Sequence, residues 1–262
     1  MKSFTGMLTQ TDLKEYLEEK YLEFNTEQFI ETDPIQVPRS YREKEDVEIA
    51  GFLSATLAWG QRSSIIKNAN RLLNLMDNAP FDFIQNFQQS DLKRFNSFRH
   101  RTFNGDDCSC FMLALQNIYG NYGGLESVFN RGYSIDRSGF YAMKYFREVF
   151  FELPVAERTQ KHVANVVKGS AAKRMNMFLR WMVRMDNFNV DFGLWKEIPA
   201  SALMMPLDVH SGNVSRKLGL LHRKQNDWKA VVELTENLSL YDPVDPVKYD
   251  FALFGLGVFE KF

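Results

Sequence analysis

Lys168-Gly169-Ser170-Ala171-Ala172-Lys173-Arg174-Met175-Asn176-Met177-Phe178-Leu179 opens the stretch that decides the fold of this chain. Pro206-Leu207-Asp208-Val209-His210-Ser211-Gly212-Asn213-Val214-Ser215-Arg216-Lys217-Leu218-Gly219-Leu220 closes it. The first phrase puts a lysine just inside a helix start. The second puts an aspartate just before one, where a carboxylate caps backbone N–H groups. Two neighbouring helices supplying Lys173 and Asp208 would bring together an amine and its electrostatic partner.

Residues 171–185 carry Ala171, Met175, Phe178, Leu179 and Met182 on one face, and Lys173, Asn176, Arg180 and Arg184 on another. Between Lys161 and Arg184 there are six bases and no acid, whereas between Asp12 and Glu31 there are seven acids and two lysines. Net charge is only −1, so bulk charge gives no reason for polyanion binding. A local basic face does suit an anionic partner, although a solvated helix face reads the same way.

Outward from this stretch the chain reads as helices. Residues 12–29 place Leu13, Tyr16, Leu17, Tyr21 and Phe24 on one face, capped by Thr11 or Asp12. Pro34 and Pro38 then make residues 31–41 a connecting loop. Residues 47–59 are apolar nearly all round, which predicts a buried helix stopped by Gly60. Ser63 or Ser64 caps the next helix, across the tight turn Trp59-Gly60-Gln61-Arg62. Two short helices are predicted within 80–98, a loop over 100–107, and helices over 108–119, 125–130, 138–150 and 157–167. Beyond a connector at 186–205, further helices are predicted over 208–218, 228–238 and from Pro243 or Pro246 to about residue 259. No segment alternates with period two, and Gly and Pro are sparse, at 15 and 8. The fold class is therefore all-α. The predicted architecture has two lobes and a central cleft: residues 41–185 as one lobe, residues 1–40 plus 186–262 as the other.

Cys108 and Cys110 are one residue apart and are the only cysteines, so no disulfide framework is available. That fits a reducing compartment. No run approaches the roughly 18 apolar residues of a membrane span, and residues 1–15 lack a signal-peptide core. A cytoplasmic monomer is expected, with no membrane, metal or cofactor.

The chain resembles the helix-hairpin-helix DNA glycosylase superfamily, the endonuclease III-like base-excision enzymes. That family's lysine segment reads like G-x-G-x-K-x-x-N-x-x-L, and Gly169, Lys173, Asn176 and Leu179 stand at that spacing. Its aspartate segment reads like D-T-H-x-x-R-V-x-x-R-L-G-L, and Asp208, His210, Val214, Leu218, Gly219 and Leu220 align without a gap. An L-S-A-Q-type helix end followed by a polar turn looks similar to Leu53-Ser54-Ala55-Thr56 and Gln61-Arg62-Ser63. The pieces come in family order and cover most of residues 47–258. Ala171 replaces the hairpin's second glycine, no L-P-G precedes it, and the connector between Lys173 and Asp208 is long. In these respects the chain looks more like the archaeal 8-oxoguanine glycosylase branch. The K-G-S-A-A-K-R and P-L-D-V-H phrases also resemble an uncharacterised bacterial family within the superfamily. The four-cysteine cluster of endonuclease III is missing, so no iron–sulfur cluster is implied.

The resemblance implies a modified helix-hairpin-helix glycosylase-like fold acting on double-stranded DNA with a damaged base. Lys173 would be the catalytic amine, which must be neutral when it attacks the sugar. The helix dipole and the charges of Arg174 and Lys168 disfavour its ammonium form. Asp208 would stabilise positive charge developing on the sugar. Gln61, Arg62, Lys168, Gly169, Arg174, Arg180 and Arg184 would touch DNA. Trp59, Trp181 and Trp195 would form the wedge or the pocket for the extruded base. Several of these residues also have an ordinary reading: Lys173 as a solvated lysine, Asp208 as a plain N-cap, Trp59 and Trp181 as core. His210 fits a capping or core role better than metal ligation, since a two-residue offset on a helix diverges by roughly 200°. Two other function classes stay open: a catalytically silent nucleic-acid-binding module of the same fold, and a helical protein-interaction scaffold.

Overall fold

The computed structural model describes residues 9–154 and 156–262. It is mostly helical. The helices are α1 (Gln10–Phe24), α2 (Glu27–Thr32), α3 (Lys44–Leu57), α4 (Arg62–Asn74), α5 (Pro80–Asn86), α6 (Gly105–Asn117), α7 (Leu125–Asp136), α8 (Gly139–Phe150), α9 (Lys173–Val183), α10 (Val209–Lys217), α11 (Trp228–Ser239) and α12 (Tyr249–Val258). The expected loop over 100–107 instead holds a small antiparallel hairpin, β1 (Arg99–His100) with β2 (Phe103–Asn104), and the start of α6. Residues 1–8 of the expected second lobe lie outside the described residues.

Local capping sets many of the helix starts. Thr9 and Asn104 form capping boxes with Asp12 and Asp107, and Ser138 and Asp227 cap α8 and α11. The predicted first helix is interrupted at Asn25, leaving α1 and α2. The Pro34 and Pro38 segments form two short 3₁₀ turns, since proline fixes φ and removes an N–H. The helix expected over 157–167 is only a 3₁₀ turn, Glu157–His162. The segment that would be the first helix of a hairpin motif is therefore mostly turn and extended backbone.

α3 is the central element. From Val47 to Leu57 every side chain is buried, as its all-round apolar sequence requires. It packs against α4, α5 and α9. α1 lies along α12, and α12 lies against α10, the helix that Asp208 caps. A continuous apolar cluster runs from Leu13 to Leu256.

Two tryptophans expected near an extruded base are core residues. Trp181 is fully buried. Trp195 is 1% exposed, donates through Nε1 to the buried Glu48 carboxylate at 2.7 Å, and packs edge-on against Phe178. Cys108 is buried, and burial pushes its thiol pKa up, which makes it unreactive. Among the described residues, no helix is long and apolar enough to cross a membrane.

Candidate active site

The predicted pair meets. Lys173 Nζ lies 3.3 Å from Asp208 Oδ2, with both side chains partly exposed. Asp208 does two jobs with two oxygens. Oδ1 accepts from the Ser211 N–H at 3.0 Å and from its hydroxyl at 3.2 Å, completing a capping box on α10. Oδ2 is left to face the lysine. The capping reading and the functional reading are thus compatible. Burial works to raise the Asp208 pKa, but the Lys173 charge and the Ser211 N–H outweigh it, and the carboxyl lies below its ordinary value.

The pair opens into a cavity of about 520 Å³. Trp59, Gly60, Arg62, Arg174 and His210 also line it. Two carboxylates that sequence reasoning missed line it as well. Asp33 caps the 3₁₀ turn after α2 through Oδ1, 3.0 Å from the Ile35 N–H. Asp250, on α12, is 6% exposed and pairs with Arg180 Nη1. Burial, against the opposing charges of Arg180 and Lys173, pushes the Asp250 pKa up to about 6. A lone carboxylate in the apolar run Tyr249-Asp250-Phe251-Ala252-Leu253 was the signal for it, since a charge inside such a helix needs a partner or a purpose.

The turn after α3 is held from several sides. Trp59 meets His100 edge to face at 4.8 Å, stacks near His162 at 5.9 Å, and carries the Arg174 guanidinium 4.7 Å above its ring. Gly60 has φ of +110°, and a Cβ there would sit 2.5 Å from Arg101 Nε. Only glycine fits. Gln61 is exposed at the N-cap of α4. Arg62 stacks over Phe254 and Phe259.

Lys168 is exposed and Gly169 is left-handed at φ +85°, both on the turn before α9. The Gly169 carbonyl accepts from Trp228 N at 2.9 Å, tying that turn to the start of α11. Ala172, the residue just before the lysine, is also left-handed, with φ 49° and ψ 32°. An alanine there is strained by roughly 1–2 kcal/mol. Ala172→Gly should therefore raise stability by about 1 kcal/mol in urea denaturation; no gain would mean that the buried methyl contributes as much as the strain costs.

Arg180 and Arg184 correct the expectation of a basic DNA-facing surface. They are 3% and 1% exposed. Arg180 borders the cavity from below and pairs with Asp191 and Asp250. Arg184 pairs with Asp186, Asp191 and Asp245 and donates to the Tyr21 hydroxyl. Toward its C-terminal end the polar face of α9 is buried against carboxylates from the connector, from Asp245 and from α12, so these arginines neutralise aspartates. His210 departs from its expected capping or core role and is exposed at the cavity rim. No group of three or more His, Cys, Asp or Glu placed to hold a metal occurs among the described residues.

Fold and site together define a mostly helical protein with a lysine–aspartate pair facing a cavity of about 520 Å³. The chain belongs to the DUF2400 family, described as a protein of unknown function, whose model matches residues 33–259. No curated protein and no solved structure matches it.

Proposed function

We propose that the protein is a DNA glycosylase with lyase activity on a damaged base. The observation that carries this reading is the 3.3 Å approach of Lys173 to Asp208 at the mouth of the cavity. The neutral Lys173 amine forms a bond to the sugar carbon, and the glycosidic electron pair leaves with the base, which takes up a proton. The nitrogen gives up one proton, the sugar ring opens with its oxygen taking up a proton to leave a protonated Schiff base, and loss of a C2′ proton then expels the 3′ phosphate. The Asp208 carboxylate stabilises the positive charge that develops on the sugar.

The attack needs a base to take up a proton from the amine. Asp208, held below the usual carboxylate range, is a weak base. Asp250 lines the same cavity, where burial pushes its carboxyl pKa up to about 6, and it is held there by Arg180.

Asp208→Asn tests the reading without confusing it with folding. Asparagine caps helices about as well as aspartate, so α10 should keep its start. Expected is unchanged DNA affinity with chemistry slower by roughly a hundredfold or more. A variant that cleaves an 8-oxoguanine, uracil or abasic duplex at the wild-type rate would leave Asp208 a cap alone.

A further inference from the structure

A second cavity, of about 350 Å³, adjoins the first. The two share Lys173 and Arg174, and His162, Gly169, Ser170 and Asn226 line the second. Arg174 sets it apart. One terminal nitrogen donates to the Thr56 carbonyl and the other to the His162 carbonyl at 3.4 Å, while the guanidinium rests on the Trp59 ring. All of these partners are neutral. No carboxylate among the described residues pairs with Arg174, in contrast to Arg180 and Arg184, each held by two or more. The other ionisable groups bordering this cavity are Lys161, His162 and Lys173, none of them an acid. Burial alone pulls the Arg174 pKa down to about 10.

A cation withdrawn from water without a counter-charge is costly. The cost is offset when the counter-charge arrives with a ligand. A guanidinium presents a planar fork that matches phosphate oxygens. Lys173 and Arg174 are successive residues in the first turn of α9, so their side chains diverge by roughly 100°. A strand whose sugar sits at Lys173 would have its neighbouring backbone directed toward Arg174.

We propose that Arg174 and the cavity beside it form a phosphate subsite, which takes the phosphodiester adjacent to the nucleotide held at Lys173. This rests on the nucleic-acid reading of the lysine–aspartate site. Trp59 acts here as the platform that fixes the guanidinium plane. Lys161, exposed at the rim, adds charge without adding shape.

The test uses duplexes with a tetrahydrofuran abasic analogue and one uncharged methylphosphonate, moved along the phosphates that flank the analogue. Expected is one position at which neutralisation weakens wild-type binding by about tenfold and leaves Arg174→Gln almost unaffected, with a salt slope smaller by about 1 in that variant. Arg174→Lys, which keeps the charge and loses the fork, should fall between them, and it carries the comparison if Arg174→Gln does not fold. Equal sensitivity of wild type and variant at every position overturns the subsite. If wild type binds no duplex at all, the glycosylase reading fails by itself. Inorganic pyrophosphate then decides the subsite: a tryptophan-fluorescence response that is weaker in Arg174→Lys than in wild type supports it, and an equal response or none in both overturns it.

Discussion

Lys173→Gln should give no borohydride-trapped protein–DNA adduct under conditions in which the wild type gives one. The duplexes to use carry 8-oxoguanine, uracil, an oxidised pyrimidine or an abasic site, and trapping with at least one is expected. An amide cannot form a Schiff base, so the loss is complete in kind, whereas a lost contact would lower the yield only in degree. Lys173 is about a third exposed, and its amine contacts Asp208 across the cavity mouth. Folding should therefore survive the change, since a partly exposed pair contributes little to stability. An adduct that persists in Lys173→Gln would move the nucleophile elsewhere, first to Lys168, which is exposed five residues earlier. A wild type that binds these duplexes and traps none would leave a silent nucleic-acid-binding module.

Arg184→Met should destabilise the protein by about 3–5 kcal/mol. The guanidinium is 1% exposed. It donates to Asp186 at 2.6 Å, Asp191 at 3.1 Å, Asp245 at 2.8 Å and the Tyr21 hydroxyl at 2.7 Å. Asp191 also holds Arg180 at 3.2 Å, and Arg180 holds Asp250 at the cavity floor. Removing Arg184 leaves Asp191 and Asp245 with less compensation, and α1, α9 and the connector lose their common anchor. The readout is the guanidinium chloride midpoint, measured beside DNA affinity at several salt concentrations. A folded Arg184→Met with an unchanged midpoint and a tenfold weaker, salt-flattened affinity would restore Arg184 to the DNA surface.

The two predictions separate residues that looked alike in the sequence. Lys173, Arg180 and Arg184 share the polar side of one amphipathic helix. Helical periodicity shows which side chains point the same way. It does not show what that side meets. On α9 the polar side descends from an open cavity at Lys173 into a buried ion-pair network at Arg184. The carboxylates responsible, Asp186, Asp191, Asp245 and Asp250, lie up to 70 residues away from the arginine each one holds.

What the sequence determined by itself is what short-range chemistry controls. Asp208 caps α10 because a carboxylate three residues before an N–H can reach it, whatever the tertiary setting. α3 was legible as a buried helix because it offers no polar face to water. Lys173 reads as a helix-start residue for the same local reason, with α9 beginning at that position. The expected helix over 157–167 failed because apolar spacing there is served as well by a 3₁₀ turn, a short extended piece and a second turn starting at Val166, with Val163 and Val166 buried. Only the tertiary structure decided which side of α9 faces water, that Trp181 and Trp195 fill the core, and that Asp33 and Asp250 join Lys173 and Asp208 around one cavity. Those outcomes depend on burial and on charges from distant segments. A carboxylate acquires its partner, and its shifted proton affinity, only when the fold removes water from both.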